Sequence, residues 1–246
     1  MKKKVLISVL GFLSILVAMA ILVFGKFINI NRSVATKYEV QGIDVSHYQG
    51  EIDWQKIAEQ EIDFAYIKAT EGSSSVDETF VQNWKDASAQ SMYVGAYHFF
   101  SFDSQGETQA QNYIRAVGDL SGKLIPVVDV EYYGDKEKHP PKKEDVVREL
   151  NVMLDALENQ YGRKPMLYTT YNVYYKYLKG DFEEYPLWIR NVYFSPNLGL
   201  KGKWTLWQYS DTDVLDGYKG EEKYIDRNVF YGTMDEMKEL VVDTIG

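Results

Sequence analysis

Cysteine is absent from all 246 residues of the sequence. Its absence excludes disulfide bonds, thiolate nucleophiles and cysteine-based zinc sites, and it suits an exposed bacterial protein that needs no redox partner. The chain also lacks the motifs of several other chemistries, namely the G-x-S-x-G elbow, the Walker A loop, the G-x-G-x-x-G fingerprint and the H-E-x-x-H zinc motif. We therefore expect no metal and no other cofactor.

Positive charge is scarce beyond the first residues of the chain. The sequence carries 27 Lys and Arg against 36 Asp and Glu, a formal net charge of −9. Five of the basic residues and none of the acidic ones lie in residues 1–35, which leaves 22 basic and 36 acidic residues and a net charge of −14 for the remainder. A domain this acidic lacks the electrostatic footprint of a nucleic-acid-binding protein.

The N-terminus contains a long apolar run, Val5 to Phe24, which directly follows three lysines. About twenty apolar residues are enough for a helix to cross a bilayer core. The alternative is a cleaved signal peptide, because Ala18-Met19-Ala20 resembles a cleavage site, but the run is longer than the usual signal core of about 7–15 residues. Since the lysines precede the run, the positive-inside rule places the rest of the chain outside the cell.

These features predict three parts. We expect a cytoplasmic Lys cluster and a transmembrane anchor over residues 1–26, a polar stalk over 27–40 and one domain over 41–246, because no Pro/Gly/Ser-rich linker divides that last part. The expected location is a bacterial cell membrane, crossed once, with the domain on the extracellular side.

After the stalk, short apolar runs alternate with helical patterns. The eight strand candidates are Gly42–Ser46, Phe64–Thr70, Tyr93–Phe100, Ile125–Tyr133, Pro165–Thr170, Leu187–Val192, Thr205–Ser210 and Tyr224–Phe230. The helical patterns are Trp54–Gln60, Asp77–Gln90, Ser104–Val117 (which opens with the capping-box signature Ser104-x-x-Glu107), Lys143–Tyr161, Tyr171–Leu178 and Met234–Val242. Alternation indicates a parallel sheet, and eight strands suggest closure into a barrel. Because loops alone separate the last three strands, we expect an irregular α/β TIM-like barrel of the form (β/α)5(β)3.

Two acids interrupt the apolar segment Ile125–Tyr133. Asp129 and Glu131 stand at positions i and i+2, so on a strand both side chains point to one face, about 6.6–7 Å apart along the backbone. Burial and mutual repulsion both disfavour double ionisation, so the pKa of one carboxyl should rise. A carboxylic acid beside a carboxylate is what glycoside cleavage requires. The alternative is a strand end that emerges into solvent with both acids facing water.

Two further acids occur in other strand candidates. Asp44 lies in the first strand candidate and Asp226 in the last. If the barrel closes, the C-terminal ends of its strands share one rim, where active sites of such barrels gather. Alternatively, Asp44 is a turn or helix cap, and Asp226 is an exposed partner of Arg227. Together with Asp129 and Glu131, these residues predict one acidic pocket.

Aromatic side chains in the strand candidates supply a second feature of a sugar site. Sugars present apolar C–H faces that lie well on aromatic rings, while Tyr hydroxyls and the Gln208 amide suit hydroxyl and acetamido groups. Core packing is the alternative for each ring, and His98 alone is more often a hydrogen-bonded core histidine. The candidate substrate-binding residues are Tyr97, His98, Tyr133, Tyr168, Trp188, Trp207 and Gln208.

Several segments, in order, resemble the glycoside hydrolase family 25 lysozymes over about residues 41–232. The resemblance rests on Gly42-Ile-Asp-Val-Ser-His-Tyr-Gln-Gly-Glu-Ile-Asp-Trp54, Tyr66-Ile-Lys-Ala-Thr-Glu-Gly72, Gly95-Ala-Tyr-His-Phe99, Pro126-Val-Val-Asp-Val-Glu131, Leu187-Trp-Ile189, Leu206-Trp-Gln-Tyr-Ser210 and Ile225-Asp-Arg-Asn-Val-Phe230. It implies an eight-stranded barrel whose last three strands lack regular helices. The sequence departs from the family pattern at Arg190, where alanine is usual, and at Arg227, where an apolar residue is commoner.

The resemblance also implies an activity and residue roles. Family members are muramidases that cut the β-1,4 bond from N-acetylmuramic acid to N-acetylglucosamine in peptidoglycan. By motif match, Glu131 is the expected general acid/base, Asp129 the residue that assists the 2-acetamido group, and Asp44 and Asp226 the other members of the acidic pocket. The expected partners are peptidoglycan glycan strands and, through the N-terminal helix, the membrane.

Two other hypotheses remain open on the sequence alone. The same chemistry could act on another N-acetylated glycan, such as chitin oligomers. Alternatively, the barrel could bind glycan strands without cutting them. The first alternative predicts cleavage of chitin alone, and the second predicts binding without turnover at any pH.

Overall fold

The computed structural model of the chain describes residues 12–15, 17–18, 22, 25 and 29–243. The predicted Lys cluster and most of the predicted anchor lie outside these residues. Among the residues that are described, no helix combines the length and apolar character required to span a membrane.

The domain is built on a closed ring of eight strands, as the sequence predicted. The strands of the domain are β1 (Gln41–Val45), β2 (Glu51–Ile52), β3 (Phe64–Glu71), β4 (Ser75–Val76), β5 (Tyr93–Phe99), β6 (Val127–Val130), β7 (Met166–Thr170), β8 (Leu187–Arg190), β9 (Leu206–Asp213), β10 (Tyr218–Lys219) and β11 (Ile225–Phe230). Seven of the ring strands follow the order β1, β3, β5, β6, β7, β8 and β9, and β11 closes the ring between β9 and β1. The short strand β4 extends the sheet beside β3, and β2 pairs with β10 in a separate two-stranded antiparallel sheet.

Each predicted helix has a counterpart outside the ring. The helices are α1 (Arg32–Ala35), α2 (Trp54–Ala58), α3 (Phe80–Ser88), α4 (Gly106–Val117), α5 (Lys143–Tyr161), α6 (Tyr171–Val173, continued by a π-helical turn over Tyr174–Leu178), α7 (Asn197–Leu200) and α8 (Met234–Lys238). The predicted capping box at Ser104 is wrong, because α4 begins two residues later. The backbone N–H of Gly106 donates instead to Glu149 of α5 at 2.8 Å. The first backbone N–H of α4 is therefore satisfied by a side chain of a neighbouring helix and not by the predicted local cap.

The last strand of the ring runs against the others. Strand β11 is antiparallel to both β1 and β9, whereas the other neighbours in the ring are parallel. A parallel neighbour requires a crossover connection, usually a helix, and no helix lies between β9 and β11. The expectation that the C-terminal end of the eighth strand joins the rim is therefore wrong. Asp226 reaches that rim because it is the second residue of the reversed strand.

Aromatic rings of β3 fill the barrel interior where its neighbours carry glycine. A Cβ atom on Gly42 of β1 would lie 2.4 Å from the ring of Phe64, and one on Gly95 of β5 would lie 2.2 Å from the ring of Tyr66. Both rings are fully buried. The interior beneath the rim is thus packed with side chains, as in other barrels of this size.

The segment predicted as a stalk packs against the barrel from Asn31 onward. The Asn31 side-chain amide is buried and donates to the backbone carbonyls of Asn191 and Tyr209, at 3.0 and 3.2 Å. Ala35 and Val40 are also buried in the core. This part of the chain is therefore not a free spacer, because it covers apolar surface and buried carbonyl groups of the barrel.

Candidate active site

The four predicted acids line one cleft at the rim of the barrel. Asp44 is near the end of β1, Asp129 lies in β6, Glu131 directly follows β6, and Asp226 lies near the start of β11. The cleft has a volume of about 390 Å³. The barrel therefore brings together carboxyls that are far apart in the sequence, and it does so at the edge where the sequence placed them.

Asp44 receives hydrogen bonds from two buried amides on neighbouring strands. Its Oδ2 atom accepts one from Gln208 Nε2 at 2.9 Å and one from Asn228 Nδ2 at 2.7 Å. Each amide is oriented in turn by an aromatic residue. The Tyr168 hydroxyl donates to Gln208 Oε1 at 3.0 Å, and the Trp188 indole donates to Asn228 Oδ1 at 2.9 Å. These four residues form a buried framework around one carboxylate oxygen.

Burial raises the pKa of every acid in the cluster. The pKa of Asp129 is raised well above its usual range, mainly by burial and then by the nearby charges of Glu131 and Asp44. The pKa of Asp226 is also raised well above its usual range, mainly by burial and then by the charge of Asp44. The Asp44 pKa is also raised by burial, although the hydrogen bonds from Asn228 and Gln208 oppose the increase. Four carboxyls this close cannot all be ionised, so the cluster retains protons that exposed acids lose.

Glu131 and Asp129 differ in their exposure. Asp129 is buried, and its Oδ1 atom makes no hydrogen bond within the part of the chain that the structure describes. Glu131 is partly exposed at the cleft, and burial raises its pKa, with the Arg190 charge as the main opposing influence. Asp129 therefore offers a free acceptor oxygen within the cleft, and Glu131 can retain a proton and reach a substrate.

Two cations face the acidic cluster from opposite sides, and each is already in an ion pair. Lys68 of β3 lines the cleft, and its Nζ atom lies 2.6 Å from Glu71 Oε2. Arg190, the last residue of β8, lies 2.5 Å from Asp211 Oδ2. The departure from the family pattern at Arg190 thus adds a positive charge whose field reaches Glu131, Asp44 and Asp226.

Aromatic rings form much of the remaining cleft wall. Tyr97, Tyr168 and Trp188, three of the predicted substrate-binding residues, lie among the residues that line the cleft. Tyr48 and Tyr224 extend the aromatic lining, and the Tyr48 ring is 53% exposed. An acidic cleft with exposed ring faces fits a substrate with apolar C–H faces and many hydroxyls.

Comparison with known proteins agrees with this geometry. Residues 43–218 match the model of the family "Glycosyl hydrolases family 25". The chain belongs to this family of glycoside hydrolases. A family 25 glycosyl hydrolase from Bacillus anthracis has the same fold, with a TM-score of 0.79 and 51% identity over 83% of this chain and 94% of that one.

Two curated relatives carry names that describe an activity. Lysozyme M1 of Streptomyces globisporus is 30% identical over 215 residues, which are 83% of this chain and 72% of that protein. The N,O-diacetylmuramidase of Chalaropsis sp. is 28% identical over 216 residues, which are 82% of this chain and 98% of that protein.

Two of the predicted substrate-binding residues of this family 25 domain lie outside the cleft, because successive residues of a strand point to opposite faces. His98 points away from the barrel interior, between Thr70 and Gln109, and is fully buried. Trp207 is also fully buried, and its indole donates to the backbone carbonyl of Asn191 at 2.8 Å. Contrary to the sequence prediction, neither side chain lines the cleft.

Tyr133 and Gln208 have other positions than predicted. The Tyr133 hydroxyl donates to Asp103 and accepts from the backbone N–H of Phe102, each at 3.0 Å, so it holds the loop after β5 and does not line the cleft. Gln208 is buried beneath the cleft, where its amide contacts Asp44. It supports a site residue and does not line the surface that a substrate meets.

The family 25 site also contains residues that the sequence analysis missed. Asn228 stands two residues after Asp226 on the same strand, so the spacing that linked Asp129 with Glu131 could have identified it. Asp211 follows the apolar part of β9 at the rim, where the strand-end argument used for Asp44 applies equally. Tyr48 lies in a short 3₁₀ helix, His47–Gln49, and Tyr224 directly precedes β11. The sequence pattern did not indicate that either ring reaches the cleft.

Proposed function

We propose that the domain is a peptidoglycan muramidase that hydrolyses the β-1,4 bond between N-acetylmuramic acid and N-acetylglucosamine. The observation that carries the proposal is the convergence of Asp44, Asp129, Glu131 and Asp226 in one aromatic-lined cleft, with the pKa of each raised by burial. The names of the relatives, a lysozyme and an N,O-diacetylmuramidase, support it.

In this mechanism Glu131 is the general acid and then the general base. Burial raises the pKa of Glu131 and so favours the protonated carboxyl, which can donate a proton to the glycosidic oxygen as the bond to the anomeric carbon breaks. The resulting carboxylate then removes a proton from the water that completes hydrolysis. The partial exposure of Glu131 supports this role, since the proton must reach a bond in the cleft.

Asp129 orients the 2-acetamido group of the muramic acid residue. The Oδ1 atom of Asp129 is buried and makes no hydrogen bond among the described residues, so it can accept one from the acetamido N–H. Bonding to this carboxylate strengthens the acetamido oxygen as the group that attacks the anomeric carbon, and configuration is retained. Direct attack by a carboxylate is the alternative, and an N-trifluoroacetyl substrate distinguishes the two because it slows only the assisted route.

The wall of the cleft supplies the binding surface in this proposal. Tyr97, Tyr168 and Trp188 lie on neighbouring parts of the rim, beside the acids. The exposed Tyr48 ring and the Tyr97 ring contact the apolar faces of the sugar units. The Tyr168 hydroxyl and the Trp188 indole N–H are already bonded to Gln208 and Asn228, so these two buried residues shape the cleft wall beneath the glycan. Asp44 and Asp226 set the charge of the cleft floor on which these units rest.

A pair of isosteric variants tests the proposal. The domain over residues 29–246 should solubilise purified peptidoglycan and release new muramic acid reducing ends. Glu131→Gln should lower the rate by about two to four orders of magnitude, because the amide cannot supply the proton. Glu137→Gln, an exposed residue of the same loop, is the matched control and should retain wild-type activity. Near-normal activity of Glu131→Gln would refute the assignment.

The same preparation separates the two alternatives. Mass spectrometry of products from peptidoglycan and from chitin oligomers identifies the glycan that is cut. Cleavage of chitin alone contradicts the muramidase proposal. Saturable glycan binding without products at any pH contradicts the enzymatic role altogether.

We further propose that residues 1–26 anchor the domain to the outer face of a bacterial membrane. The support is in the sequence: a lysine cluster followed by an apolar run of membrane-spanning length. In this proposal the domain begins near Asn31, because that side chain already bonds to backbone carbonyls of the barrel. Fractionation of cells that produce the full chain tests it, and recovery of the protein in the culture medium with a new N-terminus near residue 20 would contradict it.

A further inference from the structure

Asp44 and Asp226 form a pair of carboxyls at the rim. They are directly opposite each other on the antiparallel strands β1 and β11, and their side chains lie close enough to hydrogen-bond. Two carboxyls in such contact do not both ionise near neutral pH, since a hydrogen bond between them needs one proton. The pair can therefore hold its charge on either residue, and the surrounding donors decide which one.

Trp188 determines the orientation of the Asn228 amide. The indole N–H is a donor and cannot accept, so the atom of Asn228 that lies 2.9 Å from it is the carbonyl oxygen. The NH₂ group of Asn228 must then face Asp44 Oδ2, at 2.7 Å. Both Trp188 and Asn228 are almost completely buried, so neither has water as a competing partner.

A second donor reaches the same oxygen from β9. Gln208 Nε2 donates to Asp44 Oδ2 at 2.9 Å, and its carbonyl accepts from the Tyr168 hydroxyl. Two N–H donors exclude a proton from this oxygen, and because they bond more strongly to a carboxylate than to a carboxylic acid, they favour the ionised form of Asp44. No comparable amide donates to Asp226 among the residues that the structure describes.

We propose that Trp188 and Asn228, together with Tyr168 and Gln208, are positioning residues that hold Asp44 as the carboxylate and leave the shared proton on Asp226. The kinetic consequence rests on the proposed function and on a requirement added to it here, that Asp44 is ionised for turnover. The charged groups that face the pair from the other strands are Asp129 and Glu131 of the β6 region, Arg190 of β8, Asp211 of β9 and Lys68 of β3. The Arg190 charge acts on both members, whereas the two amides donate to Asp44.

Carboxyl NMR tests the charge assignment without any substrate. The protein is labelled with ¹³C at the aspartate side-chain carboxyl, and the two signals are assigned from their loss in Asp44→Asn and Asp226→Asn. At pH 6 we expect the Asp44 signal at the position of a carboxylate and the Asp226 signal at that of a carboxylic acid. The reverse arrangement, or two carboxylates, would overturn the proposal.

Two buried tryptophans provide a matched pair of variants. Trp188→Phe removes the N–H that fixes Asn228, whereas Trp207→Phe removes an indole N–H that donates to a backbone carbonyl outside the cleft. We expect the midpoint of the Asp44 titration in Trp188→Phe to rise by about one pH unit, because a donor to a charged oxygen is weakened. Trp207→Phe should leave it in place. Equal shifts in both variants, or none in either, contradict the proposal.

The kinetic readout is the acid limb of the pH profile of kcat/KM. In Trp188→Phe this limb should move to higher pH by the same amount as the NMR midpoint, with a smaller change at the optimum. If Trp188→Phe does not fold, Asn228→Leu removes the donor itself and should produce a shift of about one to two pH units. An NMR shift in a protein that cuts no peptidoglycan would refute the proposed function and leave the positioning role intact.

Discussion

Substitution of His98 tests whether its buried ring has a structural role or contacts the substrate. The amide of Gln109 donates to the carbonyls of Ser101 and Ser104, so its Oε1 atom faces the His98 ring. It accepts from Nε2 at 3.1 Å, and the Thr70 hydroxyl therefore donates to Nδ1 at 2.7 Å. Both nitrogens of the neutral ring are satisfied. Burial lowers the pKa of His98 from 6.5 to about 4, and the Gln109 hydrogen bond only partly opposes it.

The lowered pKa predicts a loss of stability in acid. A histidine whose pKa is lower in the folded than in the unfolded state contributes stability that is complete above the unfolded value and is lost as the pH falls through the folded one. With values of 6.5 and about 4, the loss at pH 4.5 is roughly 2.5 kcal/mol of the free energy of unfolding. The window of this effect is therefore pH 6.5 to 4.

The measurement compares wild type with His98→Gln by urea unfolding at pH 7.5 and 4.5. The glutamine lacks the titration, so its free energy of unfolding should fall between the two pH values by about 2.5 kcal/mol less than that of wild type. The comparison cancels the other titrating groups, including the buried carboxyls, whose raised pKa has the opposite effect. At neutral pH, kcat/KM should stay within a few-fold of wild type.

Two results would refute this reasoning. Equal acid sensitivity of the two proteins would show that His98 is not held neutral by burial. A loss of kcat/KM of more than about tenfold in a folded His98→Gln, at pH 7, would show that the ring acts on the substrate, as expected of a candidate substrate-binding residue.

Two further predictions concern charges of the cleft. Arg190→Met should raise the pKa of Glu131 further, because the guanidinium charge of Arg190 lowers that pKa in the wild type. The basic limb of the pH–rate profile should therefore move to higher pH. The control Arg148→Met, on an exposed helix face, should leave this limb in place. Asp226→Asn should raise the free energy of unfolding at pH 8 by about 1–3 kcal/mol and have little effect at pH 4, since the raised pKa of Asp226 means that stability is lost as the pH rises through that value. Thermal unfolding of this variant, compared with that of the exposed control Asp216→Asn, measures the effect. A gain in stability that is larger at pH 4 than at pH 8 would contradict the expected pH dependence.

The eight strands could be predicted because local apolar runs mark strands that are covered on both faces. The same property hid which side chains point inward. In Leu187–Arg190 and Leu206–Asp213 large apolar side chains lie on both faces, so the pattern offered no basis for separating Trp188, which lies at the cleft, from Trp207, which lies outside the barrel. Only the register between strands decides this, and register is a long-range property.

The direction of the last strand was not predictable from the connections. Loops alone separate the last three strand candidates, yet β9 is parallel to β8, whereas β11 is antiparallel to β9 and β1. The same local pattern therefore leads to both directions, and the pairing of Asp44 with Asp226 follows only from closure of the ring. The packing of Asn31 against the carbonyls of Asn191 and Tyr209 also had no local signal, because it joins segments more than 150 residues apart.

The charge balance of the cleft explains why its acids can act as acids. Lys68 and Arg190 face the cluster, but each already pairs with a further carboxylate, Glu71 or Asp211. These cations therefore do not neutralise the four acids at the rim. Ionising all four would bury like charges at close range, which costs more than retaining protons at the pH of the surroundings. The amides of Gln208 and Asn228 compensate one charge, that of Asp44. For the other acids of the cluster burial favours the protonated form, and a retained proton on a partly exposed glutamic acid is the reagent that glycoside cleavage needs.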